Sequence, residues 1–307
     1  MTKVLVATEK PFAGEAVEQI KKIAADGGYE LVLLEKYTEK RELLDAVSDV
    51  DAMIIRSDKV DAEVLDAAKQ LKIVVRAGAG YDNIDLAAAT AHNVVAMNTP
   101  GQNSNAVAEL AIGLMIFQAR KQFTGKAGSE LKGKTLGIHA YGNVGKCVAT
   151  IAKGFGMEIY AFDPYISKET IEADGVHCVD TAEELYSKSQ FVSLHIPANA
   201  ETKNSIDYDL LMSMPSPATL VNTARKEVIN EAELLKVFEE RSDFQYISDI
   251  APECSTEIQE KYAGRFFFTP KKMGAQTGEA NVNAGLAAIR QIIDFFEKGD
   301  VRFQVNK

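Results

Sequence analysis

Residues 135–163 read TLGIHAYGNVGKCVATIAKGFGMEIYAFD, and this segment leaves few folds open. An apolar run from Thr135 to His139 leads into Ala140, Tyr141, Gly142, Asn143, Val144 and Gly145. A helical pattern follows, then a second apolar run that ends in Asp163. Small residues where a strand turns into a helix let the main chain approach a pyrophosphate at the helix's positive end, and an acid about 20 residues on accepts hydrogen bonds from a ribose diol. Ala140 stands where the pattern expects its first glycine, which weakens the bare motif; the strand, the helix and the terminal acid restore it. Asp163 would repel a 2′-phosphate and no arginine follows it closely, so the expected cofactor is NAD rather than NADP.

The same alternation runs the length of the chain. KVLVA, ELVLLEK, DAMIIRS, LKIVVRA and NVVAMN are separated by helical patterns and predict one open parallel sheet; TLGIHA, EIYAFD, FVSLHIP, ATLVNTA and QYISDI predict a second. The fold class is therefore α/β, and 307 residues suffice for two cores. Between the two series, TPGQNSN suits a helix N-cap, and the AVAELAIGLMIFQAR that follows is apolar all round. Such a helix must be covered on every side, so it is expected to bridge the domains or enter a subunit interface. A last helix over 278–298 precedes VRFQV, which is expected to return to the first domain. The predicted division is 1–100 with 286–307, and 101–285.

With 34 basic against 44 acidic side chains the net charge is −10, which argues against a broad electrostatic hold on nucleic acid or anionic lipid. An anionic ligand must be held by a local basic cluster. The N-terminus shows no basic region followed by a long apolar stretch, and AVAELAIGLMIF is too short to span a bilayer, so the chain reads as soluble and cytoplasmic. Cys147, Cys178 and Cys254 lie far apart with no CxxC pair, implying neither a disulfide framework nor a metal site.

IIRSDKVDAEVLDAA, VVRAGAGYDNIDLAAAT, MNTPGQNSNAVAEL, VNTARKEVINEAEL, SDIAPE and GAQTGEAN, in that order, resemble the D-2-hydroxyacid dehydrogenase family, and within it the phosphoglycerate dehydrogenases. No stretch corresponds to the regulatory domain of longer members. The resemblance implies a substrate-binding flavodoxin-like domain, an NAD-binding Rossmann domain, an active site in the cleft between them, and a homodimer. It makes Arg225 the group that holds the substrate carboxylate and polarises its carbonyl. It makes the Gly78, Ala79 and Gly80 main chain a cradle for that carboxylate and Asn103 a polar cleft residue. Asp249 becomes a nicotinamide-side contact, and His195, Pro197 and Thr223 line the cofactor. A planar guanidinium can grip a carboxylate through two parallel hydrogen bonds, which suits Arg225 to that role. Arg56 and Arg76 each end an apolar run, and with Arg225 they would give three cations for a substrate carrying a carboxylate and a phosphate.

Two departures from the family pattern bear on the chemistry. The family's acid/base is a histidine between a TP dipeptide and a GA-x-T segment, whereas here TPKKMGAQT carries lysines and no histidine follows His195. Counting back from GAQT puts Lys272 in the histidine's place and counting forward from TP puts Lys271 there; Lys272 is preferred. The glutamate that orients the histidine is also displaced: Glu253 follows Asp249 by four residues, and Cys254 stands at the usual five. A lysine ammonium can donate a proton to a developing alkoxide and stabilise its charge. The expected function is NAD-dependent oxidation of 3-phospho-D-glycerate to 3-phosphohydroxypyruvate, on the route to serine. The alternatives are a glyoxylate or hydroxypyruvate reductase of the same family and a non-catalytic NAD-sensing scaffold.

Overall fold

The structure is a computed structural model that describes residues 1–307, and it divides into two units, Met1–Asn103 with Gln276–Lys307, and Ser104–Ala275. In the first unit β1 (Lys3–Thr8), β2 (Glu30–Glu35), β3 (Ala52–Ile55), β4 (Ile73–Arg76) and β5 (Val95–Asn98) alternate with α1 (Gly14–Asp26), α2 (Lys40–Ala46), α3 (Ala62–Ala67) and α4 (Leu86–Ala91). All strand pairs are parallel, in the order β2-β1-β3-β4-β5. Strands covered on both faces carry unbroken apolar runs, and AMII of β3 is buried throughout. Asp61 and Asp85 start α3 and α4 by accepting the Val64 and Ala88 N–H groups, so each short helix begins where its aspartate falls.

The second unit opens with α5 (Ser104–Ala119). Then come β6 (Thr135–His139), α6 (Asn143–Gly154), β7 (Glu158–Phe162), α7 (Lys168–Ala173), β8 (His177–Cys178), α8 (Ala182–Lys188) and β9 (Phe191–Leu194). They are followed by α9 (Tyr208–Ser213), β10 (Thr219–Asn222), α10 (Glu231–Glu240), β11 (Gln245–Ser248), α11 (Ser255–Lys261) and β12 (Phe266–Phe268). The seven parallel strands run β12-β11-β10-β9-β6-β7-β8. The order reverses between β6 and β9, which is where a doubly wound sheet opens a crevice for its ligand. The sequence pattern missed β8 and β12, edge strands of two and three residues that are too short to show a period.

The helix expected to bridge the domains belongs to the second unit alone. α5 packs on α6, β10 and β11, and its exposed stripe is Asn105, Glu109 and Gly113. A sheet face and a neighbouring helix within one domain are enough to cover it. The chain returns to the first unit at Gln276, ahead of α12 (Gly278–Lys298), so the boundary falls before that helix rather than at 286. α12 lies along α1, and a Cβ on Gly285 would come 2.9 Å from Ile20 Cδ1. Beyond it, Val305 N–H donates to Ala96 O at 2.8 Å beside β5.

Candidate active site

β6 delivers the chain to Ala140 with φ 78°, where the Ala140 N–H donates to Phe162 O at 2.9 Å. The turn needs a left-handed residue, which is why glycine is expected there, and alanine bears the strain of its Cβ. Gly145 has no substitute: a Cβ would lie 2.4 Å from Ala140 O and 3.0 Å from Ile138 Cγ2, so α6 could not pack on β6. Gly142 caps α6 with no side chain on its free N–H groups, and a Cβ there would meet nothing within 4 Å. That open approach to a positive helix end suits a pyrophosphate. Ala140→Gly is expected to stabilise the protein by about 1 kcal/mol by relieving the strain, measured by chemical denaturation. No change would mean that the turn is not strained.

Asp163 is fixed by main-chain donors, Tyr141 N–H at 2.7 Å and Tyr165 N–H at 2.8 Å. Tyr141 therefore contributes its main chain; its ring is buried and its hydroxyl donates to Asp174. At the switch point His195 N–H donates to His139 O at 2.9 Å, and His195 Nε2 lies 3.0 Å from Ser193 Oγ. Burial pushes His195 down to about 3, with His139 adding repulsion, and pushes His139 down to about 4 against the opposing pull of Asp163. Because both are depressed, the stability they contribute is present above the unfolded-state value near ~6.5 and is lost as the pH falls towards their folded values. Acidification from pH 6.5 to 5 should lower the unfolding free energy by up to about 1.4 kcal/mol per pH unit per histidine, and His139→Gln should flatten that slope. An equal slope in the variant would show that His139 takes up no proton on unfolding.

Thr223 and Asp249 follow β10 and β11, and Thr223 Oγ1 and Asp249 Oδ1 are buried without a hydrogen-bond partner. Buried polar atoms rarely go unsatisfied, and a carboxamide supplies both a donor and an acceptor. With the loop and Asp163, this donor set fits a nicotinamide dinucleotide. Asp249 Oδ2 accepts the Gly274 N–H at 2.9 Å; burial raises the Asp249 pKa, opposed by that N–H and by the Lys272 ammonium. Pro197 lies exposed on the loop after β9.

Arg225 and Lys272 meet at one atom. Ala224 O accepts from Arg225 Nη1 at 3.0 Å and from Lys272 Nζ at 2.7 Å. The turn that presents this oxygen is held by buried Asn222, which accepts Ala224 N–H at 2.9 Å and donates to Arg225 O at 2.9 Å. Lys271 is exposed, and its carbonyl accepts the Thr269 hydroxyl at 2.7 Å. Glu253 is exposed. Its carboxylate is 80% exposed and pairs with Lys226 at 3.0 Å, while the Glu253 and Cys254 N–H groups donate to Glu231 at 2.9 and 2.8 Å. The reason is the shortened spacing: Cys254 holds the inward position, where burial and then Glu231 push its thiol up to about 12. Asn222, Glu231 and Lys226 went unread in the sequence, since an asparagine at a strand end and two charges beside a helix start carry no periodic signal.

In the first unit the Gly78–Gly80 turn follows β4. Gly78 has φ 152°, Thr99 N–H donates to its carbonyl at 3.0 Å, and Asn98 Nδ2 donates to Ala79 O at 2.6 Å. The Arg76 guanidinium packs against this turn, so that a Cβ on Gly78 would come 1.8 Å from Nη1. Arg56, read from sequence as a second anion-binding cation, is instead held by the protein. Its Nη1 donates to Lys10 O at 2.9 Å and Pro11 O at 3.0 Å, its Nη2 to Asn281 Oδ1 at 2.6 Å, and it lies 5.1 Å from the Phe12 ring centre. Asn103 is half-buried and ends the first segment of this unit.

Residues 113–263 match the D-isomer specific 2-hydroxyacid dehydrogenase NAD-binding domain. The NAD+-bound 3-phosphoglycerate dehydrogenase of Entamoeba histolytica is 49% identical over 100% of this chain and 99% of its own, with a TM-score of 0.88. The chain belongs to the D-2-hydroxyacid dehydrogenase family. Other members include the D-3-phosphoglycerate dehydrogenase of Methanocaldococcus jannaschii, 36% identical over 82% of this chain and 51% of that protein. The hydroxypyruvate reductase of Thermotoga maritima is 35% identical over 86% of this chain and 90% of its own. The chain thus spans about half the length of the M. jannaschii relative and most of the T. maritima one. As a D-2-hydroxyacid dehydrogenase it carries that family's NAD-binding domain, and none of its helices is long and apolar enough to cross a membrane.

Proposed function

We propose that this chain oxidises 3-phospho-D-glycerate to 3-phosphohydroxypyruvate, as a cytoplasmic homodimer feeding serine synthesis, with Lys272 as the acid/base. The observation that supports the proposal is the convergence of Lys272 and Arg225 on Ala224 O, which favours Lys272 over Lys271. Two cations held around one oxygen form a site for a group with a carboxylate beside a developing alkoxide. NAD supplies the hydride acceptor. The Arg225 fork takes the carboxylate, and the neutral Lys272 amine takes the hydroxyl proton; in reduction the ammonium returns it to the alkoxide. In the first unit, Arg76 and the Gly78–Gly80 turn are anion-binding groups of their own.

A hydroxypyruvate reductase is the second reading. Two observations favour it: the internal engagement of Arg56, which removes one cation from the phosphate count, and the T. maritima relative. NADH consumption distinguishes the two. The proposal expects kcat/KM for 3-phosphohydroxypyruvate to exceed that for hydroxypyruvate and glyoxylate by about tenfold or more, a difference of roughly 1.4 kcal/mol. An equal or inverted ratio establishes the reductase, and NADH binding without turnover of any of the three establishes a scaffold.

A further inference from the structure

Asp58 lies just past β3 with 3% of its surface exposed. Its Oδ1 accepts the Glu9 N–H at 2.7 Å and the Tyr37 hydroxyl at 2.8 Å, and its Oδ2 accepts the Arg56 N–H at 3.1 Å. Glu9, Tyr37 and Arg56 follow β1, β2 and β3, so one carboxylate ties together the carboxyl ends of three neighbouring strands. The Arg56 carbonyl in turn accepts Arg76 Nε at 3.1 Å and Asn83 Nδ2 at 3.2 Å, and Asn83 Nδ2 also donates to Asp58 O at 2.6 Å. The Arg56 side chain is spent on the Lys10–Pro11 main chain and Asn281. What Arg56 passes on is its carbonyl, and the group that carbonyl directs is the guanidinium lying on Gly78.

We propose that Asp58 is a positioning residue for recognition of the substrate phosphate: it fixes the Arg56 main chain, whose carbonyl sets the direction of Arg76. The inference rests on the reading of Arg76 as an anion-binding group given above. A carboxylate accepts at both oxygens, whereas an amide accepts at one and donates from the other. Asp58→Asn therefore turns an NH2 towards either the Glu9 N–H or the Arg56 N–H, and the joint that holds the three strand ends loosens. Asn83→Ala removes the second hold on the same carbonyl from a half-buried position and leaves the carboxylate network intact.

The test uses the full chain and measures KM and kcat with 3-phosphohydroxypyruvate and with hydroxypyruvate, NADH affinity by fluorescence, and calorimetric binding of 3-phospho-D-glycerate. Both variants are expected to raise KM for the phosphorylated substrate about tenfold, with kcat, the hydroxypyruvate KM and NADH affinity nearly unchanged. A merely structural role predicts otherwise: both substrates and NADH weaken together, or the phosphorylated KM does not move, and either result overturns the proposal. If Asp58→Asn does not fold, Asn83→Ala decides alone by the same criterion. If wild type turns over neither substrate yet binds 3-phospho-D-glycerate, the dehydrogenase reading fails while a selective loss of that binding in the variants still supports Asp58. If wild type does not bind it, the assignment of Asp58 fails.

Discussion

Lys272→Ala is expected to lower kcat for 3-phosphohydroxypyruvate reduction by about 10²- to 10⁴-fold while leaving NADH affinity within a few-fold of wild type, the size of effect that loss of a positioned acid/base produces. Lys271→Ala should be nearly silent, because both lysines are exposed and it is Lys272 whose Nζ donates to Ala224 O beside Arg225, whereas Lys271 offers its carbonyl to Thr269. The pair of variants is decisive, since a site that needed only nearby positive charge would respond to both. Oxidation adds a signature. The base must be the neutral amine, and an unperturbed lysine keeps its proton up to about pH 10.4, so oxidation should keep gaining as the pH rises beyond the range where a histidine would have finished titrating. His139 and His195 cannot supply an alternative limb there, as burial holds both far below neutrality. A rate of oxidation flat from about pH 6 to 10 would remove Lys272 from the role.

Arg225→Ala should be the other costly change. Loss of a guanidinium that binds a carboxylate through two charge-assisted hydrogen bonds is expected to reduce kcat/KM by about 10²-fold or more, roughly 3 kcal/mol. Arg225→Lys should recover little of it, because an ammonium is a point donor and cannot reproduce the fork. The loss should fall on KM and kcat together if Arg225 both binds the carboxylate and polarises the carbonyl, and on KM alone if it only binds. Equal kcat/KM in Arg225→Lys and wild type would show that the bidentate geometry is not used.

The fold was legible where burial writes a pattern. AMII and TLVN are buried along their whole length, and such strands appear as unbroken apolar runs that a single sequence reveals. α5 was read as a covered helix, and its clustering with the second unit was not legible, because an all-round apolar surface says that a helix is covered and not by what. The site was legible where a motif fixes main-chain geometry: Gly142, Gly145 and Asp163 occupy the positions that the spacing assigned. It was illegible where the outcome depends on a partner distant in the chain. Nothing near Arg56 in the sequence announces Asn281, and the one-residue change between Asp249 and Glu253 was visible without revealing that Lys226 would capture the displaced carboxylate.

The first unit is written in two pieces, with all of the second unit between them. A ribosome therefore finishes residues 104–275, a contiguous and self-contained sheet, before it makes α12, which carries Ala288, Ile289 and Ile292 of the first unit's core. Asn306 comes later still, and it accepts the Ala96 N–H at 2.9 Å and donates to Val94 O at 2.8 Å beside β5. The portion translated first is thus the portion completed last. Until α12 arrives, the face of β3 and β4 that it covers stays open in the growing chain, and this is the interval in which nascent protein offers most for a chaperone to shield.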